Sequence, residues 1–261
     1  MIWKTQTIAG DTWPGSPLHP DYAKEVHFDF DFAASPILIH GEQGQDVLVA
    51  GQKSGEVFGF EPQTGKILWR KRLGRGGTKG GVHFSLAAEG RTVFVPLFDS
   101  DDMLETISPA LMGPARPGIH AVDAFTGEVH WSVSLADQCT PGERCQGYSA
   151  AITAIPGVLF AGRYDGVFQA FDSANGKLIW EFGTAREFST LNGDRARGST
   201  IDGPGPLIVD GMVYLNSGYG LYGGQPGNVL LAFSVHNRPN SSGGLRLHDR
   251  PAAKPETGMQ R

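Results

Sequence analysis

The hydrophobic positions of this chain fall in short runs separated by glycine-rich turns. The runs are rich in β-branched and aromatic residues, which favour the strands of a half-buried sheet. In chain order they lie at residues 35–39, 47–51, 92–96, 157–162, 205–209, 212–216 and 228–235. The pattern predicts an all-β protein.

Three segments, residues 59–69, 121–131 and 170–180, align without gaps and end on a tryptophan. Their shared pattern is small, apolar, acidic, two variable positions, Thr or Asn, Gly, polar, apolar, variable and Trp. The acidic side chain can accept hydrogen bonds from turn amides, and the glycine supplies a positive φ where the chain reverses. We therefore predict a hairpin in each segment. The tryptophan, on the buried face of the returning strand, is predicted to pack between neighbouring units without a chemical role.

The repeats indicate a β-propeller. Their spacing exceeds the ~40–50 residues of ordinary blades, so loops are inserted, the largest at residues 98–117. Trp3 resembles the end of an earlier unit, and the last apolar set, residues 205–235, lacks the acidic–Gly–Trp ending. We expect about four blades of a propeller of about eight, in a chain that starts inside a blade.

Composition narrows the functional classes. The net charge is −5 with no basic patch, which argues against nucleic-acid binding. The longest apolar stretches are strand-sized, so no membrane-spanning helix is expected. Residues 1–235 are predicted to form the propeller. Residues 236–261 consist of Pro, Ser, Gly and charged residues with few large apolar ones, which predicts a disordered tail.

Both cysteines, Cys139 and Cys145, lie in one polar Pro/Gly loop. A close pair in such a loop can form a small disulfide, as in an oxidising compartment. Two free thiols are the alternative, and half of a zinc site is less favoured because no second pair exists. The N-terminus shows neither the basic nor the long apolar region of a secretory signal. The eight histidines show no metal-binding spacing.

Several stretches together resemble the pyrroloquinoline quinone (PQQ)-dependent quinoprotein dehydrogenases, most of all the C-terminal half of the polyvinyl alcohol dehydrogenases. The hairpin motif alone is a weak signal, but the ordered series is specific and runs from Ile2 to Val235. The stretches are residues 28–38, 49–57, 74–82, 190–193, 202–206, 216–220 and 223–233.

This resemblance implies roles for three residues. A carboxylate near the quinone acts as general base on the alcohol, and the matching stretch offers Asp31, with Asp29 as the alternative register. Lys53 matches a cation that contacts the quinone oxygens and would stabilise negative charge on the reduced quinone. The structural alternatives are an aspartate pair in a turn and a solvated loop lysine.

The resemblance also implies parts that this chain lacks. The family's upstream half holds the glutamate and asparagine that bind calcium and the tryptophan on which PQQ stacks. The polyvinyl alcohol dehydrogenases also carry haem c in a further domain, whereas this sequence has no Cys-x-x-Cys-His motif, and Phe84 stands where the family often has tryptophan. The family further implies a periplasmic location, a secondary alcohol, free or part of a polymer, as substrate, and cytochrome c as electron acceptor.

Two other functions stay open. A non-catalytic propeller could serve as a scaffold for protein interaction, because propellers are rigid discs with loop faces. A carbohydrate-binding or hydrolytic propeller is less favoured, since no spaced carboxylate pair stands out. An open half-propeller leaves sheet surfaces uncovered. We therefore expect either an N-terminal half that this chain lacks or self-association.

Overall fold

A computed structural model describes residues 1–9, 11, 30–77, 80–99, 114–135, 146–220 and 223–235. These residues form antiparallel sheets in which consecutive strands pair side by side, as in propeller blades. Blade 1 contains β1 (Ile37–Ile39), β2 (Val47–Gly51), β3 (Glu56–Phe60) and β4 (Ile67–Arg72), with a 3-10 turn at Glu42–Gly44. Blade 2 contains β5 (Ala87–Glu89), β6 (Thr92–Leu97), β7 (Gly118–Asp123) and β8 (Val129–Ser134).

The second half repeats this order with two differences. Blade 3 contains β9 (Thr153–Ile155), β10 (Val158–Gly162), β11 (Val167–Asp172) and β12 (Leu178–Gly183). A small hairpin of β13 (Glu187–Ser189) and β14 (Arg195–Arg197) follows it. Blade 4 has three described strands, β15 (Leu207–Val209), β16 (Met212–Ser217) and β17 (Val229–Ser234). The all-β partial propeller predicted from the sequence is confirmed.

The three predicted hairpins are the pairs formed by the third and fourth strands of blades 1 to 3. In each pair the tryptophan lies opposite the small residue of the motif, and the register shifts immediately afterwards. The pairs are Gly59 with Trp69, Ala121 with Trp131, and Ala170 with Trp180. A Cβ atom on Gly59 would lie 2.2 Å from Nε1 of Trp69, so a small residue is required there.

Trp3, Trp69 and Trp131 each contact the hairpin turn of the following blade. The indole N–H donates to a turn carbonyl: Trp3 to Pro62 at 2.8 Å, Trp69 to Ala124 at 2.8 Å, and Trp131 to Ser173 at 3.0 Å. The ring lies against the glycine of the same turn, which is Gly65, Gly127 or Gly176. These glycines have φ values of 71°, 72° and 73°, and a Cβ on any of them would be within 2.7 Å of the ring. The predicted packing role is confirmed for Trp69 and Trp131, whereas Trp180 makes no such turn contact among the described residues and is 38% exposed.

The hydrophobic core lies between the blades and shrinks toward blade 4. Blades 1 and 2 share a cluster of valines and leucines around Val57 and Val95. Blades 2 and 3 share a cluster with Phe94, Tyr148 and Phe171. The cluster between blades 3 and 4 has only four buried members, among them Phe168.

Some sequence predictions lie outside the described residues: the Cys139–Cys145 disulfide and the disordered tail at 236–261. The insertion predicted at residues 98–117 is the connection between β6 and β7, of which residues 100–113 also lie outside. Within the part of the chain that is described, no helix is long and apolar enough to cross a membrane.

We predict that Trp131→Ala lowers the free energy of unfolding by about 2–4 kcal/mol, because it empties the contact with Gly176 and removes the bond to Ser173. Trp131→Phe keeps the ring but loses the N–H donor, so it should cost only about 1 kcal/mol. Guanidinium unfolding measures both. Equal losses for the two variants would contradict the separate contribution of the hydrogen bond.

Candidate functional site

The directions of the strands define two opposite ends of the propeller. In blades 1 to 3 the second-to-third strand connection lies at the same end as the segment that leaves the fourth strand, because neighbouring strands are antiparallel. Backbone bonds join the two segments: Leu73 N–H to Gly55 O, Leu135 N–H to Pro117 O, and Thr184 N–H to Gly166 O, at 2.8, 2.9 and 2.8 Å. We call this end the loop face. The tryptophan-contacting turns lie at the other end, the turn face.

Two of the candidate residues lie together on the loop face. The ammonium of Lys53 donates to Oδ2 of Asp31 at 2.9 Å, and the backbone N–H of Lys53 donates to the Asp31 carbonyl at 3.0 Å. The Lys53 side chain is 17% exposed, whereas the Asp31 side chain is 62% exposed. The structure therefore presents a carboxylate to solvent with a cation beside it. Asp29, the alternative base, lies outside the described residues.

Buried polar side chains fix the loop that carries Lys53. Ser54 Oγ donates to Gln52 Oε1 at 2.7 Å, and both residues are buried. The Gln52 amide in turn donates to Thr7 Oγ1 at 2.9 Å. Ser54 Oγ also accepts from the Glu56 N–H at 3.3 Å, so these bonds link both sides of the loop that carries Lys53.

The glycine-rich stretch 74–81 packs on the same loop. Gly77 N–H donates to Lys53 O at 3.1 Å, and Val82 N–H donates to Gln52 O at 3.2 Å. Gly81 has a φ of 63°, and a Cβ there would lie 2.4 Å from Lys53 O. The glycines thus serve close backbone packing around Lys53. Thr78 and Lys79 lie outside the described residues.

A buried carboxylate that the sequence analysis did not single out organises this glycine stretch. Asp99 is fully buried and accepts from four backbone N–H groups, those of Arg75, Gly76, Gly81 and Arg116, at 2.6 to 3.1 Å. The available sequence signal was an aspartate soon after a buried strand, Thr92–Leu97, at the start of an insertion. Its partners are distant in sequence, so the pattern alone could not assign them.

Glu56 is another buried acid near Lys53, but its charge is already neutralised. Its carboxylate accepts from Arg70 Nε at 2.8 Å and lies 3.4 Å from the Arg72 guanidinium. The hydrogen bond to Glu56 raises the pKa of Arg70. Arg72 also donates to Ser54 O at 2.9 Å, which ties this group to the Lys53 loop. Glu56 therefore stabilises the loop and is not an available base.

A second polar cluster on the loop face joins three blades. His83 Nδ1 lies 2.9 Å from Ser149 Oγ, and Ser149 is also hydrogen-bonded to Asp202. Burial raises the pKa of the Asp202 carboxyl, although bonds from Ser149 and the Gly203 N–H partly oppose this. Phe84, where the family resemblance leads us to expect tryptophan, follows His83 and is 37% exposed.

Metal ligands do not converge in this part of the molecule. Among the described residues, no group of three His, Cys, Asp or Glu side chains could hold a metal ion.

Comparisons with known proteins identify relatives of this chain. A family model described as "Outer membrane protein assembly factor BamB" matches residues 115–238. The polyvinyl alcohol dehydrogenase of Sphingopyxis sp. (strain 113P3) is 35% identical over 260 residues, covering 90% of this chain and 38% of that protein. The polyvinyl alcohol dehydrogenase of Pseudomonas sp. is 35% identical over 255 residues, with the same coverage. The chain thus spans 38% of the length of these relatives.

A solved structure supports the fold. A quinohemoprotein alcohol dehydrogenase from Pseudomonas putida HK5 superposes with a TM-score of 0.54, covering 88% of this chain and 42% of that one. Its sequence identity is 15%, so the similarity concerns the fold alone.

We predict that Asp99→Asn loosens the glycine stretch, because the amide offers one acceptor oxygen and an N–H group where backbone N–H donors converge. The free energy of unfolding should fall by about 2–3 kcal/mol, and proteolysis after Arg75 should become faster. Asp165→Asn, at an exposed carboxylate in the corresponding loop of blade 3, is the control. Equal effects of the two substitutions would rule out the organising role of Asp99.

Stability should depend on pH through Asp202. Because the pKa of this carboxyl is raised in the folded state, the folded chain keeps a proton that the unfolded chain has released. The free energy of unfolding therefore falls as pH rises above the ordinary carboxyl pKa of about 3.9. In the Asp202→Asn variant the free energy of unfolding should not show this fall. The variant should therefore become more stable relative to the native chain as pH rises. Guanidinium unfolding between about pH 4 and pH 8 tests this. Asp210→Asn, in an exposed turn, should follow the native curve.

Proposed function

Because this chain is related over 90% of its length to polyvinyl alcohol dehydrogenases, we propose that it forms part of a quinoprotein that oxidises alcohols with PQQ. The observation that supports this most is the contact between Lys53 and Asp31, at 2.9 Å on the loop face. These two residues match the cation and the base that the family resemblance implies, and they belong to different segments of the chain. Alcohol oxidation needs both groups at one reacting centre.

Each residue has a defined task in this proposal. Asp31, at 62% exposure, accepts the hydroxyl proton of the alcohol as its carbon is oxidised. Bound PQQ would supply the hydride acceptor. The Lys53 ammonium would contact the quinone oxygens of bound PQQ, where a cation favours negative charge on them. The Gln52–Ser54 hydrogen bond and the glycine stretch keep Lys53 in place. Asp29 is the alternative base.

Of PQQ and calcium, the described residues fit PQQ. A cation beside a solvent-facing carboxylate suits a quinone and an alcohol. The described residues offer no calcium ligand set, and we derive no step from calcium. The family resemblance alone implies that upstream blades bind it. Haem c is likewise assigned to a domain outside this chain.

The remaining elements of the proposal rest on the resemblance. We propose a secondary alcohol, free or part of a polymer, as substrate and a cytochrome c as electron acceptor. Residues 1–235 then form the C-terminal part of a propeller of about eight blades. We place the protein in the periplasm. An oxidising location also suits a Cys139–Cys145 disulfide.

A non-catalytic scaffold is the second candidate, and one observation favours it. The Lys53 side chain is only 17% exposed, and its contact with Asp31 can serve simply to hold the segment before β1 against blade 1. In that case the loop face binds a protein partner without PQQ. The same variants distinguish the two functions.

We predict that PQQ, with Ca²⁺ present, binds the purified chain and shifts its absorbance. Lys53→Ala should weaken PQQ binding about tenfold or more, because it removes the cation that faces the quinone oxygens. Asp31→Asn should leave PQQ affinity unchanged and lower alcohol-dependent dye reduction about 100-fold, because it removes the base. Absorbance titration and dye reduction measure these effects separately.

Lys66→Ala, at an exposed lysine on the turn face, is the control and should change neither quantity. The enzymatic function is wrong if the native chain shows no absorbance shift and no dye reduction. Loss of PQQ binding in Asp31→Asn as well would assign both residues to binding.

A further inference from the structure

One backbone contact recurs in all four blades on the loop face. A residue just after the second strand donates its N–H to the segment that leads into the first strand. The four bonds are Lys53 to Asp31 at 3.0 Å, Phe98 to Gly81 at 2.9 Å, Tyr164 to Gly147 at 3.0 Å and Gly218 to Thr200 at 2.8 Å. Two residues beyond the acceptors lie Ala33, His83, Ser149 and Asp202. These four residues therefore occupy equivalent positions in successive blades.

Three of these equivalent side chains form a hydrogen-bonded chain across blades 2, 3 and 4. Ser149 Oγ lies 2.9 Å from His83 Nδ1, and Ser149 is also hydrogen-bonded to Asp202. The Gly203 N–H donates to Asp202 Oδ1 at 2.9 Å. Ser149 and Asp202 are buried, whereas His83 is half-buried. A buried carboxylate, to which the reaction proposed above assigns no role, is thus connected to an imidazole ring nearer the surface.

The His83 end of this chain adjoins the segment that carries Asp31. Ser35 and Ser85 form an isolated parallel bridge, which holds the residues before β1 alongside those before β5. The equivalent position in blade 1 is the exposed Ala33, whose small side chain leaves room between His83 and that segment. Nε2 of His83 is buried, so it exchanges protons with neighbouring groups more readily than with bulk water.

The directions of these hydrogen bonds are linked. An ionised Asp202 can only accept, so it accepts from the Ser149 O–H. Ser149 Oγ then accepts from Nδ1–H of His83, which leaves Nε2 with its lone pair. A protonated Asp202 reverses the chain: it donates to Ser149, Ser149 donates to Nδ1, and Nε2 carries the proton. Burial raises the pKa of the Asp202 carboxyl, which favours binding of a proton at that end.

We propose that His83, Ser149 and Asp202 form a proton relay for alcohol oxidation, a role that rests on the proposed function. The proton that Asp31 takes from the hydroxyl passes to Nε2 of His83, which restores the Asp31 carboxylate. The N–H bond at Nδ1 breaks as Ser149 Oγ takes that proton, and the original Ser149 O–H proton moves to Asp202. One proton enters at His83 and one is bound at Asp202, so Asp31 is ready to accept the proton of the next alcohol.

Nitrogen NMR of the histidine rings tests this linkage without PQQ. At about pH 8, where an ordinary imidazole is neutral, the proton of His83 should lie on Nδ1 in the native chain. Asp202→Asn should move it to Nε2, because the amide keeps an oxygen for the Gly203 N–H and donates to Ser149. His83→Gln identifies the signal.

A second histidine–serine pair provides the matched control. Ser132 Oγ lies 2.8 Å from Nδ1 of His120, so Ser132→Ala should change the signal of His120 and leave that of His83 as it is. A native His83 with its proton on Nε2, or the same tautomer in Asp202→Asn as in the native chain, would overturn the relay.

Turnover tests the relay in the reaction. Ser149→Ala removes the middle of the chain but leaves Asp31 and Lys53, so dye reduction should fall about 10- to 100-fold at unchanged PQQ affinity. Asp202→Asn should act in the same direction, Ser132→Ala should not, and near-UV circular dichroism reports the fold of each variant. Native turnover in folded Ser149→Ala would overturn the relay. A native chain with neither PQQ binding nor dye reduction would instead contradict the enzymatic function, and the tautomer of His83 distinguishes the two failures.

Discussion

The contact between a tryptophan and the next blade's glycine turn is the interaction on which the rest of this structure depends. The indole N–H donates a hydrogen bond to a turn carbonyl, and the ring lies so close to the turn glycine that a Cβ atom would not fit there. Because the donor blade and the acceptor turn are successive in the chain, each blade is positioned by its neighbour. Stability in such an arrangement is a sum over neighbouring interfaces, as in other repeat proteins. The shrinking core toward blade 4 shows the effect of losing one interface.

The sequence predicted this interaction because all its parts lie in one short segment. The turn glycine, the acid before it, the small residue and the tryptophan recur at fixed spacing, so the hairpins could be placed before the structure was known. The sequence predicted only that the tryptophans pack between neighbouring units; the contact with the turn of the next blade is a finding of the structure. The extra hairpin of β13 and β14 was not predicted. It depends on the stacking of Phe182 with Phe188 and on Arg186, which lies over both rings.

The loop face was much harder to predict. Asp99 gathers N–H groups from residues on both sides of an insertion, and no local pattern reports such a set. Lys53 and Asp31 were named through family resemblance, whereas periodicity would have left both as surface residues. Their contact is partly exposed, so solvent screens it and its energy is small. The contact matters because its position is defined: Gln52 and Ser54, with the glycine stretch that Asp99 organises, hold the backbone that carries Lys53.

The separation of the two faces has a consequence for how this protein can change over evolutionary time. The tryptophan contacts between blades lie at the turn face, whereas Asp31, Lys53 and the long connections lie at the loop face. Substitutions or insertions among the connections leave the tryptophan contacts intact, as the long segment between β6 and β7 already illustrates. A new specificity can therefore arise at the loop face of the propeller while the turn face keeps its structure. A substitution of a turn glycine is not tolerated in this way, because it alters how the neighbouring blade packs.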